Sequence, residues 1–314
     1  METKIKTFKH LEKWQGTLAS CIRCGYCFEH CPMFKHTGWE SDAPRAKIIT
    51  AFGLLSGEID PTESAADKLF SCFYCKRCEA ACSSGVTLTE IFTDARKDLV
   101  EMGLKGPGTT STTQLNCARC LICVGACPHE ARVYDNGIVT DIAKCQACGI
   151  CLEVCPAGAA KIENNFGTGR DELINRAATF LNTHTAAKAI VFACNWSYYP
   201  ELQASVLPDT ETEDNAYEIL VNMCGGRLEP SVLMAPFLNN AWGVMAAVCP
   251  DDACQHNGNL RAKKIVENLR NTFKTIGIDP ERIALVQIPA GDKALFQAEI
   301  DTFVDRLTKI GPIR

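Results

Sequence analysis

Sixteen of the chain's twenty cysteines fall in four runs: CIRCGYCFEHC at 21–31, CFYCKRCEAAC at 72–82, CARCLICVGAC at 117–127 and CQACGICLEVC at 145–155. Every run has the spacing C-x2-C-x2-C-x3-C. Three thiolates two residues apart on a tight loop can each bind one corner of a cubane, while the fourth, three residues on, points away and binds a different cluster. Four runs therefore predict two pairs and four [4Fe-4S] clusters. With each fourth cysteine crossing to the partner run, the first cluster takes Cys21, Cys24, Cys27 and Cys82, and the second Cys31, Cys72, Cys75 and Cys78. The third takes Cys117, Cys120, Cys123 and Cys155, and the fourth Cys127, Cys145, Cys148 and Cys151. The chemistry of such a set is one-electron transfer.

A disulfide framework also uses even numbers of cysteines. The strict repeat, a proline directly after Cys31, Cys127 and Cys155, and the lack of a secretory signal count against it. Four-cysteine zinc sites use C-x2-C knuckles, but take two cysteines per knuckle rather than three and an exported fourth. The composition, 46% hydrophobic and 22% charged, is that of an ordinary soluble protein. No apolar run approaches the roughly 18 residues that cross a bilayer, and METKIKTFKHLEKW has lysines with no apolar stretch after them, so a cytoplasmic protein is expected. The formal charge of −5 becomes more negative with oxidised clusters of about −2 each, which makes nucleic acid an unfavourable partner.

The elements that must position these runs differ along the chain. Residues 1–108 read as a helical setting: APRAKIITAFGLLSGEI (43–59), PTESAADKLFSC (61–72) and the periodic segment after Cys82, which stops near Gly103. GLKGPGTTSTTQ (103–114) reads as a linker. In residues 109–165 only seventeen residues separate Cys127 from Cys145, and the DNG within VYDNGIVTDIAKC signals a hairpin, as in compact ferredoxins. Gly149, beside Cys148, lets backbone N–H groups approach the cluster.

Residues 166–314 change pattern. KAIVFAC (188–194), YEILVNMC (217–224), WGVMAAVC (242–249) and RIALVQIP (282–289) read as buried parallel strands, with helices at PSVLMAPFLNNA, GNLRAKKIVENLRNTFKTIG and GDKALFQAEIDTFVDRLTKIG. Together they predict a doubly wound α/β sheet. Cys194, Cys224 and Cys249 each close an expected strand and Cys254 follows the third, so a tetrathiolate site, cluster or zinc, competes with four packed thiols.

CxxCGxCxxxCP, a Pro-Arg helix, a second run and then Gly-Val and a helix with an Arg resemble the alpha-helical ferredoxin, the C-type subunit, of heterodisulfide reductase, and more distantly the iron–sulfur subunits of succinate and glycerol-3-phosphate dehydrogenases; Ser83 stands where that family usually has Pro. Residues 109–165 resemble a bacterial-type 2[4Fe-4S] ferredoxin. FACNW, NMCGGRLEPS and VCPDDACQHNGNLRA resemble the delta subunit of methyl-viologen-reducing hydrogenase, which implies a flavodoxin-like domain holding a [2Fe-2S] cluster on Cys194, Cys224, Cys249 and Cys254; Ser197 replaces a further cysteine of the family's CNWC.

The implied whole is a multidomain α+β electron-transfer subunit of a heterodisulfide-reductase-type complex, with four [4Fe-4S] clusters and one [2Fe-2S] cluster. The implied partners are a flavoprotein that bifurcates electrons and resembles the A-type subunit of heterodisulfide reductase, a catalytic protein resembling its B-type subunit, and a hydrogenase, formate dehydrogenase or other dehydrogenase as donor, in an anaerobe. The rival is an oxidoreductase with its own flavin or open-iron site in the C-terminal domain. Gly167 and Gly169 suggest a dinucleotide fingerprint, but Glu172 stands at its third glycine. His30, His36, His129 and His256 lie near cysteine runs and read as surface or supporting residues, and no catalytic set assembles.

Overall fold

The computed structural model describes residues 8–72, 74–104, 110–146, 148–162, 170–184, 186, 188–198, 216–222 and 224–313. The chain divides into two units, Met1–Phe166 and Gly167–Arg314. The first mixes helices with two small antiparallel sheets, and the second is built on a parallel sheet.

In the first unit three helices carry the core: α1 (Pro44–Ser56), α2 (Glu63–Phe70) and α3 (Leu88–Glu101). Pro44 opens α1, where its missing N–H costs nothing, and Gly57 ends it in the left-handed conformation (φ 78°). The Thr62 hydroxyl caps α2 by accepting the Ala65 N–H at 3.2 Å. Ile48, Ala51 and Leu54 of α1, Leu69 and Phe70 of α2, and Ile91, Phe92 and Leu99 of α3 form one buried cluster. Each large side chain fully buried there contributes about 1.5–3 kcal/mol.

Helix α3 is held at three levels. At its first turn the Thr89 N–H and hydroxyl donate to the Glu79 carboxylate at 2.6 and 2.5 Å. In its middle, Arg96 is fully buried. Near its end the Asp98 carboxylate accepts the backbone N–H groups of His10 and Leu11 at 3.0 and 2.8 Å.

Beyond α3, β1 (Thr110–Thr112) pairs antiparallel with β4 (Ala160–Ile162), and β2 (Arg132–Tyr134) with β3 (Ile138–Thr140). The DNG hairpin is present, with Asn136 in the left-handed region (φ 50°) that asparagine tolerates. The linker expected over 103–114 needs correction: residues 110–112 form a strand, while 105–109 lie outside the described residues.

In the second unit, β5 (Ala189–Cys194), β6 (Tyr217–Asn222), β7 (Gly243–Val248) and β8 (Ile283–Gln287) form one parallel sheet in the order β6-β5-β7-β8. Because side chains alternate along a strand, Ile190, Phe192, Val244 and Ala246 face α4 (Arg170–Thr183), α5 (Pro230–Met234) and α6 (Gly258–Thr275). Val191, Ala193, Met245 and Ala247 pack with Phe296, Ile300, Phe303 and Leu307 of α7 (Lys293–Ile310). A sheet covered on both faces explains why its strands read as continuous apolar runs.

Two details differ from the sequence reading. PSVLMAPFLNNA is not one helix: α5 gives way to a 3-10 turn at Ala235–Asn239, where Pro236 has no N–H to continue the ladder. Cys194 is the last residue of β5, but β6 and β7 end before Cys224 and Cys249, so two of the three cysteines sit just past their strands.

Candidate metal centres

The four runs share one local fold. Within each run the residue after the second cysteine, Gly25, Lys76, Leu121 or Gly149, is left-handed (φ 92°, 59°, 61° and 79°). A single helical turn follows, Tyr26–Glu29, Arg77–Ala80, Ile122–Gly125 or Ile150–Glu153, and carries the third cysteine. Arg23, Tyr74 and Arg119, between the first two cysteines of their runs, are left-handed as well (φ 57°, 57° and 53°). A non-glycine residue costs roughly 1–2 kcal/mol in that conformation, and such strain persists where the surroundings over-determine it, typically at functional sites.

That strain turns backbone donors toward sulfur. Tyr74 and Arg119 N–H groups donate to Cys72 and Cys117 Sγ, both at 3.4 Å. The fourth cysteines accept from four residues ahead: Val86 to Cys82 at 3.3 Å, Ala131 to Cys127 at 3.3 Å and Ala159 to Cys155 at 3.2 Å. Hydrogen bonds to sulfur are the protein's main adjustment of a cluster's potential.

Cysteines of different runs lie near one another. Burial first, and then the Cys21, Cys24 and Cys82 sulfurs, push the Cys27 thiol up to about 12. Cys31, Cys72, Cys75 and Cys78 line one cavity with Lys47 and Tyr74. Cys127, Cys145, Cys148 and Cys151 line another with Arg132. Of the remaining four, Cys117 and Cys123 share a small apolar cluster with Ile138 and with Cys151 of the neighbouring set.

In the second unit, Cys194, Cys224 and Cys249 are buried and Cys254 is partly so. Cys249 hydrogen-bonds both Cys194 and Cys254, which pushes its own thiol up; that same bond is the first cause lowering Cys254 to about 6. Cys224 Sγ accepts the Gly226 N–H at 3.4 Å, and a Cβ on Gly258 would lie 2.5 Å from that sulfur. The Ser197 hydroxyl and both amide atoms of Asn222 are buried without a hydrogen-bond partner among the described residues.

Tetrahedral zinc with Zn–S of about 2.3 Å holds its sulfurs about 3.8 Å apart. Among the described residues no three cysteine sulfurs lie within 4.8 Å of one another; the one trio of possible ligands that does is His10, Asp98 and Glu101. Cysteine-lined cavities and convergent N–H donors in the first unit fit iron–sulfur clusters, whose ligands stand on different irons.

Four charged residues were not picked out as site residues from the sequence. Lys47 is buried in the cavity of Cys31 and Cys72. Arg132 is buried, donates to Thr140 Oγ1 at 2.7 Å and approaches Cys123 Sγ at 3.9 Å. Glu79 caps α3, and Arg96 bonds the Cys72 and Cys145 carbonyls. Helical periodicity could have found Arg96, which lies four residues after Phe92 and three before Leu99 on the buried stripe of α3.

Of the histidines, His30 and His256 are buried, burial lowers His129 to about 4, and the His36 side chain lies outside the described residues. Gly167 and Gly169 also lie outside them, while Glu172 is in the first turn of α4. No described helix is long and apolar enough to cross a membrane.

Residues 189–311 match the family model of the methyl-viologen-reducing hydrogenase delta subunit, residues 17–86 a 4Fe-4S dicluster domain and residues 138–161 a 4Fe-4S binding domain. The D-type iron-sulfur subunit of the F420-non-reducing hydrogenase of Archaeoglobus profundus is 30% identical over 129 residues, 40% of this chain and 91% of that protein. The A-type subunit of the ferredoxin/F(420)H(2)-dependent CoB-CoM heterodisulfide reductase of Methanosarcina acetivorans is 32% identical over 125 residues, 40% of this chain and 16% of that protein. The probable glycolate oxidase iron-sulfur subunit of Bacillus subtilis is 34% identical over 92 residues, 29% of this chain and 20% of that protein. The chain thus spans a fifth or less of the length of these last two relatives.

Proposed function

The chain belongs, through residues 189–311, to the family of the methyl-viologen-reducing hydrogenase delta subunit, and from that premise we propose that it is an iron–sulfur electron-transfer subunit of a heterodisulfide-reductase-type oxidoreductase complex. The observation that carries the reading is the nearness of cysteines from different runs, Cys82 to Cys27 and Cys31 to Cys72, Cys75 and Cys78, which supports the crossing of the runs. Crossed runs make paired one-electron carriers, and the same arrangement in the compact part extends the series.

On this reading the four cubanes take the ligand sets read from the spacing, and residues 1–108, 109–165 and 166–314 are a helical ferredoxin, a compact ferredoxin and a flavodoxin-like domain. The order β6-β5-β7-β8 corresponds to the first four strands of the flavodoxin order 2-1-3-4-5, which supports the last assignment. In that fold ligands bind at the switch point beyond the first and third strands, here β5 and β7, and Cys194 and Cys249 stand there. Cys194, Cys224, Cys249 and Cys254 would hold a [2Fe-2S] cluster, with the unpartnered amide of Asn222 and the Ser197 hydroxyl available to its sulfides. The bound clusters supply one-electron carriers; the chain's residues hold them, exclude water and set potentials.

The proposed partners are those the resemblance implies: a flavoprotein resembling the A-type subunit of heterodisulfide reductase, a catalytic protein resembling its B-type subunit, and a hydrogenase, formate dehydrogenase or other dehydrogenase as donor; the similarity to heterodisulfide reductase and hydrogenase subunits supports partners of that kind. Anaerobic purification tests the reading. The full chain should contain about 18 iron atoms, four clusters of four and one of two, and no flavin. A stoichiometric flavin, or turnover of a substrate by the isolated chain, would overturn it in favour of an enzyme with its own site in the second unit. Anaerobic co-purification then identifies donor and acceptor.

A further inference from the structure

Arg96 is a fully buried guanidinium surrounded by main-chain oxygen. Its Nε and Nη2 donate to Leu69 O at 3.2 and 3.1 Å, and Nη2 also to Phe70 O at 3.0 Å, the last two carbonyls of α2. Those bonds finish a helix. Two others do not: Nη2 donates to the carbonyl of Cys72 at 3.2 Å, and Nη1 to the carbonyl of Cys145 at 3.0 Å. The two cysteines are each the first of a run, one in the helical part and one in the compact part. Phe70 and Tyr74 rings flank the guanidinium, with centroids 4.8 and 4.5 Å from its carbon, and keep the junction dry.

One planar cation bonded to both carbonyls holds them within about 8 Å of each other. A second buried arginine lies one step further on. Arg132 approaches Cys123 Sγ at 3.9 Å and lines the cavity of Cys127, Cys145, Cys148 and Cys151. The compact part's two cysteine sets therefore meet at Arg132, and only the Cys145 set reaches Arg96 among the described residues.

We propose that Arg96 is the positioning residue of an inter-module electron junction, and that the four cubanes stand in the order first, second, fourth, third. The inference rests on the ligand sets proposed above. Each step oxidises one cubane by one electron and reduces its neighbour by one, with no bond made and no proton moved. The second and fourth clusters, those of Cys72 and Cys145, are the neighbours across the junction. The first and third are the two ends of the series.

The test is electron paramagnetic resonance of the full chain, reduced anaerobically, with iron counted first. Fewer than four cubanes in the unaltered protein means that the ligand reading has failed, independently of the junction. With four present, magnetic coupling should link the second and fourth clusters. Cys148→Ser should sharpen the second cluster's signal, and Cys120→Ser should leave it unchanged; the reverse pattern overturns the proposed order. Arg96→Gln with full iron content should weaken that coupling several-fold, and coupling unchanged from the parent overturns the role of Arg96. If Arg96→Gln does not load, Arg96→Lys retains the charge without the fork that spans both carbonyls, and the same readout applies.

Discussion

The Trp14 indole N–H donates to the Asp94 carboxylate at 2.8 Å, joining the start of the described chain to the middle of α3. The same carboxylate meets Lys13 at 2.7 Å and Lys97 at 2.8 Å. Burial works to raise the Asp94 carboxyl, but the hydrogen bonds of Lys13, Lys97 and Trp14 outweigh it and bring it down to about 2.

A lowered carboxyl contributes stability that is complete above its unfolded value, near 4, and is lost as the pH falls from about 4 to about 2. Asp94→Asn should therefore lower the unfolding free energy at pH 7 by about 1–2 kcal/mol, discounted for the exposure of the two lysines. Denaturant unfolding of both proteins at pH 7 and pH 3 checks this, taken as the difference between them so that cluster loss common to both cancels. A difference that does not shrink at pH 3 refutes the assignment.

Gly258 leaves no room for a side chain, because its Cβ would fall 2.5 Å from Cys224 Sγ and 2.6 Å from the Gly226 nitrogen. Gly258→Ala should displace Cys224 and abolish the paramagnetic signal of the [2Fe-2S] cluster proposed for the second unit, as Cys224→Ser should, while the cubane signals remain. Retention of that signal in both variants would refute Cys224 as a ligand.

Arg132 brings a buried positive charge to the compact part, 3.9 Å from Cys123 Sγ. A cation favours the reduced, more negative cluster, so Arg132→Gln should lower the potentials of the compact part by about 40 mV, about 1 kcal/mol for one electron. Potentiometric titration followed by paramagnetic resonance reads the shift; an unchanged or raised potential counts against it.

Glu79 closes the first turn of α3 through the Thr89 N–H and hydroxyl, two bonds to one carboxylate oxygen. Removing a cap of this kind costs about 1–2 kcal/mol. Glu79→Ala should lower the melting temperature of the first unit by several degrees and speed cluster loss under air, measured as bleaching near 400 nm; an equal bleaching rate would show that α3 does not steady the second run.

The 4Fe-4S character was legible in the sequence because the spacing of the cysteine runs is itself the chemistry, and the long elements because burial leaves a period. Helices α1, α2 and α3 and the four parallel strands stand where periodicity put them, within a few residues. Most of what escaped notice has no such trace, and where Arg96 has one, its period marks burial and not its partners. β1 hides in a Gly, Thr and Ser-rich stretch, because its partner Ala160–Ile162 lies far along the chain. Arg96 binds carbonyls, which every residue carries, so nothing in the sequence of its partners announces it. The left-handed residues were foreseeable at Gly25 and Gly149 but not at Arg23, Tyr74, Lys76, Arg119 or Leu121, where surroundings override preference. Pro236 ended α5 by a rule that the apolar pattern around it obscured.

The parallel run of β5, β6 and β7 also decides where this design tolerates change. Parallel neighbours all finish at the same rim, so residues gained or lost in the connecting segments beyond these cysteines leave Cys194, Cys224 and Cys249 where they are. One residue inserted within β5 would instead turn Cys194 to the opposite face of the sheet. Descendants of such a chain are free to vary in length between the strands and almost nowhere along them.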